Sequence, residues 1–345
     1  MNPRERVLQA INHRKTDRIP ANFQAQAEVT ESLKHLLGLK DSEELLQSLA
    51  IDLRRISAPY TLPETGPDSD GYYTNMWGVR YQKENIDGKP SIIYPFDENT
   101  TEDEVENHPW PNAENLDYAA SQQECHKYHP YYATYGAPWS PFFHETGWLV
   151  GQENLFLWMH TKPGVVTRIV EHIVDYELKA TEKFLDACQG MLDIAYFGND
   201  FGTQRGLVIS PEHWLRFFRQ PLKRFFDLAH DFGCKVMFHS CGSVRSIIPW
   251  LIEDGLDILD PVQTSAAGMT LPSLLTDFGE KLCFHGGVST QTTLPFGTRE
   301  QVRNEVRSFV NLTWEKGGYI LCGSQELIRD IPLENILAMY DVKLR

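Results

Sequence analysis

Lys235-Val236-Met237-Phe238-His239-Ser240-Cys241-Gly242 is an apolar run that closes on a histidine and a cysteine two residues apart. Side chains at i and i+2 of a strand share a face, so the pattern predicts a strand whose end presents imidazole and thiol to one spot. These are donors that zinc prefers, and a catalytic zinc takes three protein ligands and keeps a fourth position open. A second apolar run, Gly318-Tyr319-Ile320-Leu321-Cys322-Gly323, ends the same way and offers Cys322 as the third ligand. The competing reading is a core cysteine beside a hydrogen-bonded histidine, since cysteine is among the most buried residue types. Both runs stop at glycine, as strands do at the mouth of a barrel.

Working outward from Lys235–His239, strands and helices alternate. On the C-terminal side the pattern predicts a helix from Val244 to Glu253, a strand at Ile258-Leu259, a short helix from Leu271 and a strand over Leu282–His285. A helix over Arg299–Lys316, the strand Tyr319–Cys322 and a last helix from Pro332 follow. On the N-terminal side lie a helix over Pro211–Phe232, a strand over Ile194–Phe197 and a helix over Pro163–Cys188. The last of these carries apolar residues at 165, 166, 169, 170, 173, 174, 178 and 185, close to the 3.6 period. Earlier still come a helix over Asn154–His160, a strand at Ala133–Ala137, the strands Arg18–Phe23 and Ile51–Ile56, and helices at Thr30–Leu37 and Ser42–Leu49. The chain opens with Asn2-Pro3-Arg4-Glu5-Arg6-Val7, a cap residue and a proline at the first helical position. About eight strands alternating with helices predict an α/β fold of the parallel (β/α)8 TIM-barrel type, one domain over residues 1–345. Residues 59–129 interrupt the alternation after the second strand. Turn residues dominate this long irregular excursion, with a hairpin expected at Asp87-Gly88, and such excursions are usually functional.

In such a barrel the active site lies at the C-terminal ends of the strands. Those ends read Asn199-Asp200, His239-Cys241, Asp260 to Gln263, His285 and Cys322. Asp200 is the catalytic candidate among them, whereas Asp260 reads more readily as a helix N-cap. His285 is equally readable as a packing histidine. Tyr135, Trp139, Phe142 and Phe143 follow the strand at 133–137 and are placed at the top face, with Glu145 as a second carboxylate there. The aromatic residues of the excursion, Trp77 and Trp110 among them, read chiefly as staples that hold it to the surface.

Composition narrows the function. The chain has 345 residues, of which 41% are hydrophobic, and a formal charge of −15. That charge argues against nucleic acid and against an acidic membrane surface. No apolar run of membrane-spanning length and no signal-peptide core is present, so the chain reads as cytoplasmic. Its six scattered cysteines are then thiols rather than a disulfide framework.

Several stretches together resemble the uroporphyrinogen decarboxylase superfamily. They are Phe238-His239-Ser240-Cys241-Gly242-Ser243, Gly255-Leu256-Asp257-Ile258-Leu259-Asp260-Pro261-Val262-Gln263 and Phe284-His285-Gly286-Gly287-Val288-Ser289-Thr290-Gln291, with the opening Arg4-Glu5-Arg6-Val7 and the closing Pro332-Leu333-Glu334-Asn335. In the decarboxylase branch the resemblance implies an arginine-rich clamp after the first strand, where this chain has Gln24-Ala25-Gln26-Ala27-Glu28. The other branch comprises zinc methyltransferases that work with corrinoid proteins, and its His-x-Cys plus distant Cys is similar to His239, Cys241 and Cys322. The resemblance therefore implies Zn2+, a corrinoid carried by a partner protein, and methyl transfer to or from a small thiol, methoxy compound or methylamine. A metal-free decarboxylase of the same fold, relying on Asp200, is the alternative. The family's third ligand aligns near Gln325 and an acidic neighbour of the metal aligns with Gln263. Both are placed with Asn199, His285, Tyr135 and Glu145 as substrate contacts.

Overall fold

A computed structural model describes residues 1–84 and 88–342. Its main sheet is parallel throughout and comprises β1 (Leu53–Arg55), β5 (Ala133–Gly136), β6 (Ile194–Gly198), β7 (Lys235–His239), β8 (Ile258–Asp260), β9 (Cys283–His285) and β10 (Tyr319–Ile320), hydrogen-bonded in that order. The segment at 20–22 closes the curl. Asn22 N–H donates to the Leu321 carbonyl (2.8 Å), Leu321 N–H to that of Pro20 (2.8 Å), and Asp52 N–H to that of Ala21 (2.9 Å). This stave joins the β10 side of the sheet to β1, and the fold is a TIM barrel. Inward residues from alternate positions, Leu53, Tyr135, Tyr196, Met237, Ile258, Cys283 and Ile320, form one buried cluster. Val7 and Ile11 of the helix Pro3–Ile11 belong to the same cluster and cover one end of it. That helix starts where the sequence says it must, with Asn2 and Glu5 in a reciprocal capping box.

The first stave is fastened by charge. Asp52 is fully buried; its Oδ1 lies 2.5 Å from Arg6 Nη1 and its Oδ2 2.7 Å from Arg18 Nη1, and Oδ2 also accepts the Ala21 amide (2.9 Å).

The excursion is more ordered than its composition suggests. It contains an antiparallel sheet of β2 (Tyr73–Thr74), β3 (Arg80–Tyr81) and β4 (Ile92–Ile93), and the helices Glu102–Glu106 and Tyr118–Tyr128. β3 and β4 pair as the expected hairpin does. Asp87 of its turn lies outside the described residues. Trp77 packs edge-on against Tyr176 (5.3 Å between centroids) and Trp110 stacks on His172 (4.8 Å). The excursion's large aromatics thus staple it to the helix Pro163–Cys188. The predicted helix over 211–232 is interrupted by a π turn at Trp214–Phe218. Pro221 accounts for this, because it has no amide hydrogen for the carbonyl of Phe217 and its ring crowds that turn. A helix over Phe142–Val150, absent from the sequence reading, follows β5. Among the described residues no helix is long and apolar enough to cross a membrane.

Glu145 lies on that helix, away from the strand ends. Burial pushes its carboxyl up to about 7, against a contact with Trp77. Burial, and then Glu145 itself, hold Glu177 well above the usual carboxylate range. Glu177 is 3% exposed and its Oε2 has no hydrogen-bond partner among the described residues. Both groups hold a proton more tightly when folded than when unfolded. The stability they allow is therefore complete below the unfolded value of 4.5 and declines as pH rises towards 7. Glu177→Gln removes one of the two and is expected to raise stability at pH 8 while changing little at pH 4.5. Denaturant titrations at both pH values check it; a gain equal at the two would show that ionisation is not the cause.

Candidate active site

β7 and β8 run in register with His239 opposite Asp260. Asp260 is the hub of a buried polar network. Its Oδ2 accepts from His239 Nδ1 (2.7 Å) and from the Tyr196 hydroxyl (2.7 Å), and its Oδ1 accepts from His285 Nδ1 (2.5 Å). With Nδ1 engaged, the ring turns Nε2 towards the barrel mouth, where Cys241 Sγ lies 3.3 Å and Asp200 Oδ1 3.4 Å away. The one atom each that Asp200, His239 and Cys241 contribute all lie within 4.8 Å of one another, the sole such cluster of three His, Cys, Asp or Glu ligands among the described residues.

Local backbone holds this arrangement. Cys241 N–H donates to Asp200 Oδ1 (2.8 Å). Gly242, at φ 76, lies against Gly202 so closely that a Cβ on it would come 2.5 Å from the Gly202 carbonyl carbon. The loops carrying Asp200 and Cys241 can meet only because both positions are glycine. Gly198, at the end of β6, is bare for a related reason. A Cβ there would come 2.0 Å from the Trp139 ring, which leans over His239 at 5.5 Å between centroids. Electrostatics follow the geometry. Burial opposes the charged form of His239, but Asp200, Asp260 and Cys241 outweigh it and hold the ring well above its ordinary value. Burial likewise works to raise Asp200, yet its contacts with His239 and with Cys241 bring it down to about 2.

The predicted residues separate into those around this spot and those elsewhere. Gln325 is at the spot, its Nε2 2.5 Å from Cys241 Sγ. Tyr135 lines the adjoining cavity, of about 510 Å³, with Phe23, Trp139, Tyr196, His239 and Gln325. Gln263 sits just behind, its Oε1 accepting from Gly242 N–H (2.6 Å), so it shapes the Cys241 loop. His285 is fully buried behind Asp260. Asn199 is turned into packing, accepting from Phe143 N–H (2.8 Å) and donating to the Ser140 carbonyl (3.0 Å). Glu145 does not line the cavity.

Cys322 is not in the cluster. It is fully buried, has the same inward parity as Ile320, and its thiol contacts His285, the histidine on the other oxygen of Asp260 from His239. The third donor beside His239 and Cys241 is the Asp200 carboxylate, which the sequence reading placed in catalysis rather than among the ligands. The sequence reads Asp260 as a helix N-cap rather than a functional group, and it gives no sign of Tyr196. For Asp260 the signal was available, since an acid ending the strand next to His239 falls level with it in a parallel sheet.

A model of the family described as uroporphyrinogen decarboxylase (URO-D) matches residues 89–343. No curated protein matches the sequence. Among solved structures, a methyltransferase from Methanosarcina mazei superposes with a TM-score of 0.67, covering 98% of this chain and 97% of that one at 17% sequence identity, which is a likeness in fold. With its family match spanning most of the chain and a TIM barrel to carry it, the chain belongs to the uroporphyrinogen decarboxylase family.

Proposed function

We propose that the protein is a zinc-dependent methyltransferase that moves a methyl group between a small substrate and the cobalt of a corrinoid carried by a partner protein. The observation that carries this reading is the Asp200, His239 and Cys241 cluster with His239 oriented from behind by Asp260. The donor set suits zinc. Bonds of about 2.0–2.3 Å at tetrahedral angles put ligand atoms roughly 3.3–3.6 Å apart; the two separations from His239 Nε2 are 3.3 and 3.4 Å, and all three atoms lie within 4.8 Å of one another. A carboxylate partner on the far nitrogen of a ligating histidine is the usual companion of such a site. The solved Methanosarcina methyltransferase of the same fold adds support of a coarser kind.

When bound, zinc supplies Lewis acidity towards a sulfur, oxygen or nitrogen of the substrate at the position left open. The chain's own residues do the rest. Asp260 fixes the His239 ring, Asp200 receives the Cys241 amide, and the Gln325 amide donates to the Cys241 sulfur and tempers its charge. Trp139, Tyr135 and Tyr196 wall the cavity with apolar surface, which excludes water from the reacting atoms. The uncapped side of the cluster faces the barrel mouth, the side from which a partner's corrinoid must approach.

Anaerobic incubation of zinc-loaded protein with free methylcobalamin and 2-mercaptoethanol tests the reading. The expected result is loss of the methylcobalamin spectrum in the wild type and not in Cys241→Ala. Decarboxylation of uroporphyrinogen, with no demethylation of the cobalamin, would overturn it in favour of the metal-free alternative.

A further inference from the structure

Arg54 and Arg55 are neighbours at the end of β1 with opposite fates. Arg54 turns outward, where it is bidentate to Glu43 (2.7 and 2.8 Å) and stacks on Tyr132. Strand alternation turns Arg55 the other way, into the lining of the His239 cavity. There its guanidinium lies 5.9 Å from the centre of the Tyr196 ring, and among the described residues it has no ion-pair or hydrogen-bond partner. Arg55 is exposed and lines the cavity, so its guanidinium is open to an incoming ligand. Arg55 is the one arginine or lysine in the lining of that cavity among the described residues.

We infer that Arg55 binds an oxyanion on the substrate, so that the substrate class is a small molecule with an aromatic or methylene body, its reacting atom at one end and a carboxylate or sulfonate at the other. This deepens the proposed function and rests on it for which end reacts. The distances suit such a molecule. The Tyr196 ring that lies under Arg55 is 6.4 Å from the His239 ring, and Trp139 bridges the two at 5.1 and 5.5 Å. A substrate lying along these faces spans the cavity with its anion on the guanidinium and its far end beside Asp200 and Cys241. Guanidinium and a planar oxyanion pair through two parallel hydrogen bonds, which fixes the orientation of the molecule as well as its affinity.

Ligand-detected NMR titration of the metal-free protein tests this. The probes are phenylacetate, phenylpropionate and phenylbutyrate, each compared with the matching phenylalkanol, so that chain length is covered. The wild type is expected to bind at least one acid roughly tenfold or more tighter than its alcohol. Arg55→Gln should bring the two together, and Arg55→Lys should keep part of the difference. The alkyl and aryl sulfonates of the same lengths then tell a carboxylate site from a sulfonate site. Equal binding of acids and alcohols, discrimination that survives Arg55→Gln, or no binding by any member of the series would each overturn the inference. Because metal is left out, failure here is separable from failure of the proposed chemistry. Discrimination without zinc uptake leaves Arg55 its role and removes the methyl transfer, and zinc uptake without discrimination does the reverse.

Discussion

Cys241→Ala is expected to purify without zinc after reconstitution under conditions that give the wild type about one zinc per chain, and to lose methyl transfer with it. The sulfur is the softest donor of the three and lies 3.3 Å from His239 Nε2, so removing it leaves one imidazole and one carboxylate, too few for tight binding. The fold should survive, because the Cys241 backbone, not its side chain, makes the contact with Asp200. Asp260→Asn provides the graded companion. It keeps the shape of the site but loses the carboxylate that orients His239, a change that typically costs about 10–100-fold in metal affinity. Zinc competition with a chelator measures both. Full occupancy in Cys241→Ala would remove that residue from the site.

The second large effect concerns stability. Asp52→Ala is expected to destabilise the fold by about 3–5 kcal/mol, because it strands the Arg18 guanidinium without a counter-charge and leaves the buried Arg6 with Asp17 alone. The same change leaves the Ala21 amide without its acceptor and so loosens the stave that closes the barrel. Asp17 is the control. It also pairs with Arg6, at 2.7 Å, but its side chain is 43% exposed, and Asp17→Ala should cost no more than about 1 kcal/mol. Urea denaturation compares the two; similar losses would show that the buried position of Asp52 is not what matters.

The barrel was legible because its elements obey simple periods. The helix Pro163–Cys188 has the bounds that its apolar spacing and N1 proline dictate, and β7 runs over Lys235–His239 as its apolar run does. The His-x-Cys pair was legible for the same reason, since period two puts both side chains on one face, and the two lie together. What could not be read was which distant residue joins them. Cys322 and Asp200 both follow strand ends, and spacing along one chain does not say how far past its strand each stave carries its last side chain. The structure puts the Cys322 thiol against His285, below the mouth, while the Gly202 and Gly242 contact draws the Asp200 loop over the sulfur. Asp260 was passed over because an acid before a proline also suits a helix cap, and only the parallel register with His239 tells the two apart. The excursion's strands were obscured by their length, two residues each, too short for a period to show.

X-ray absorption at the zinc edge of the reconstituted protein tests the central claim most directly, because it counts sulfurs. Ligation by Asp200, His239 and Cys241 predicts one sulfur at about 2.3 Å with nitrogen and oxygen at about 2.0–2.2 Å, and an unchanged spectrum in Cys322→Ala. Two sulfurs in the wild type, one of them lost in Cys322→Ala, would contradict it.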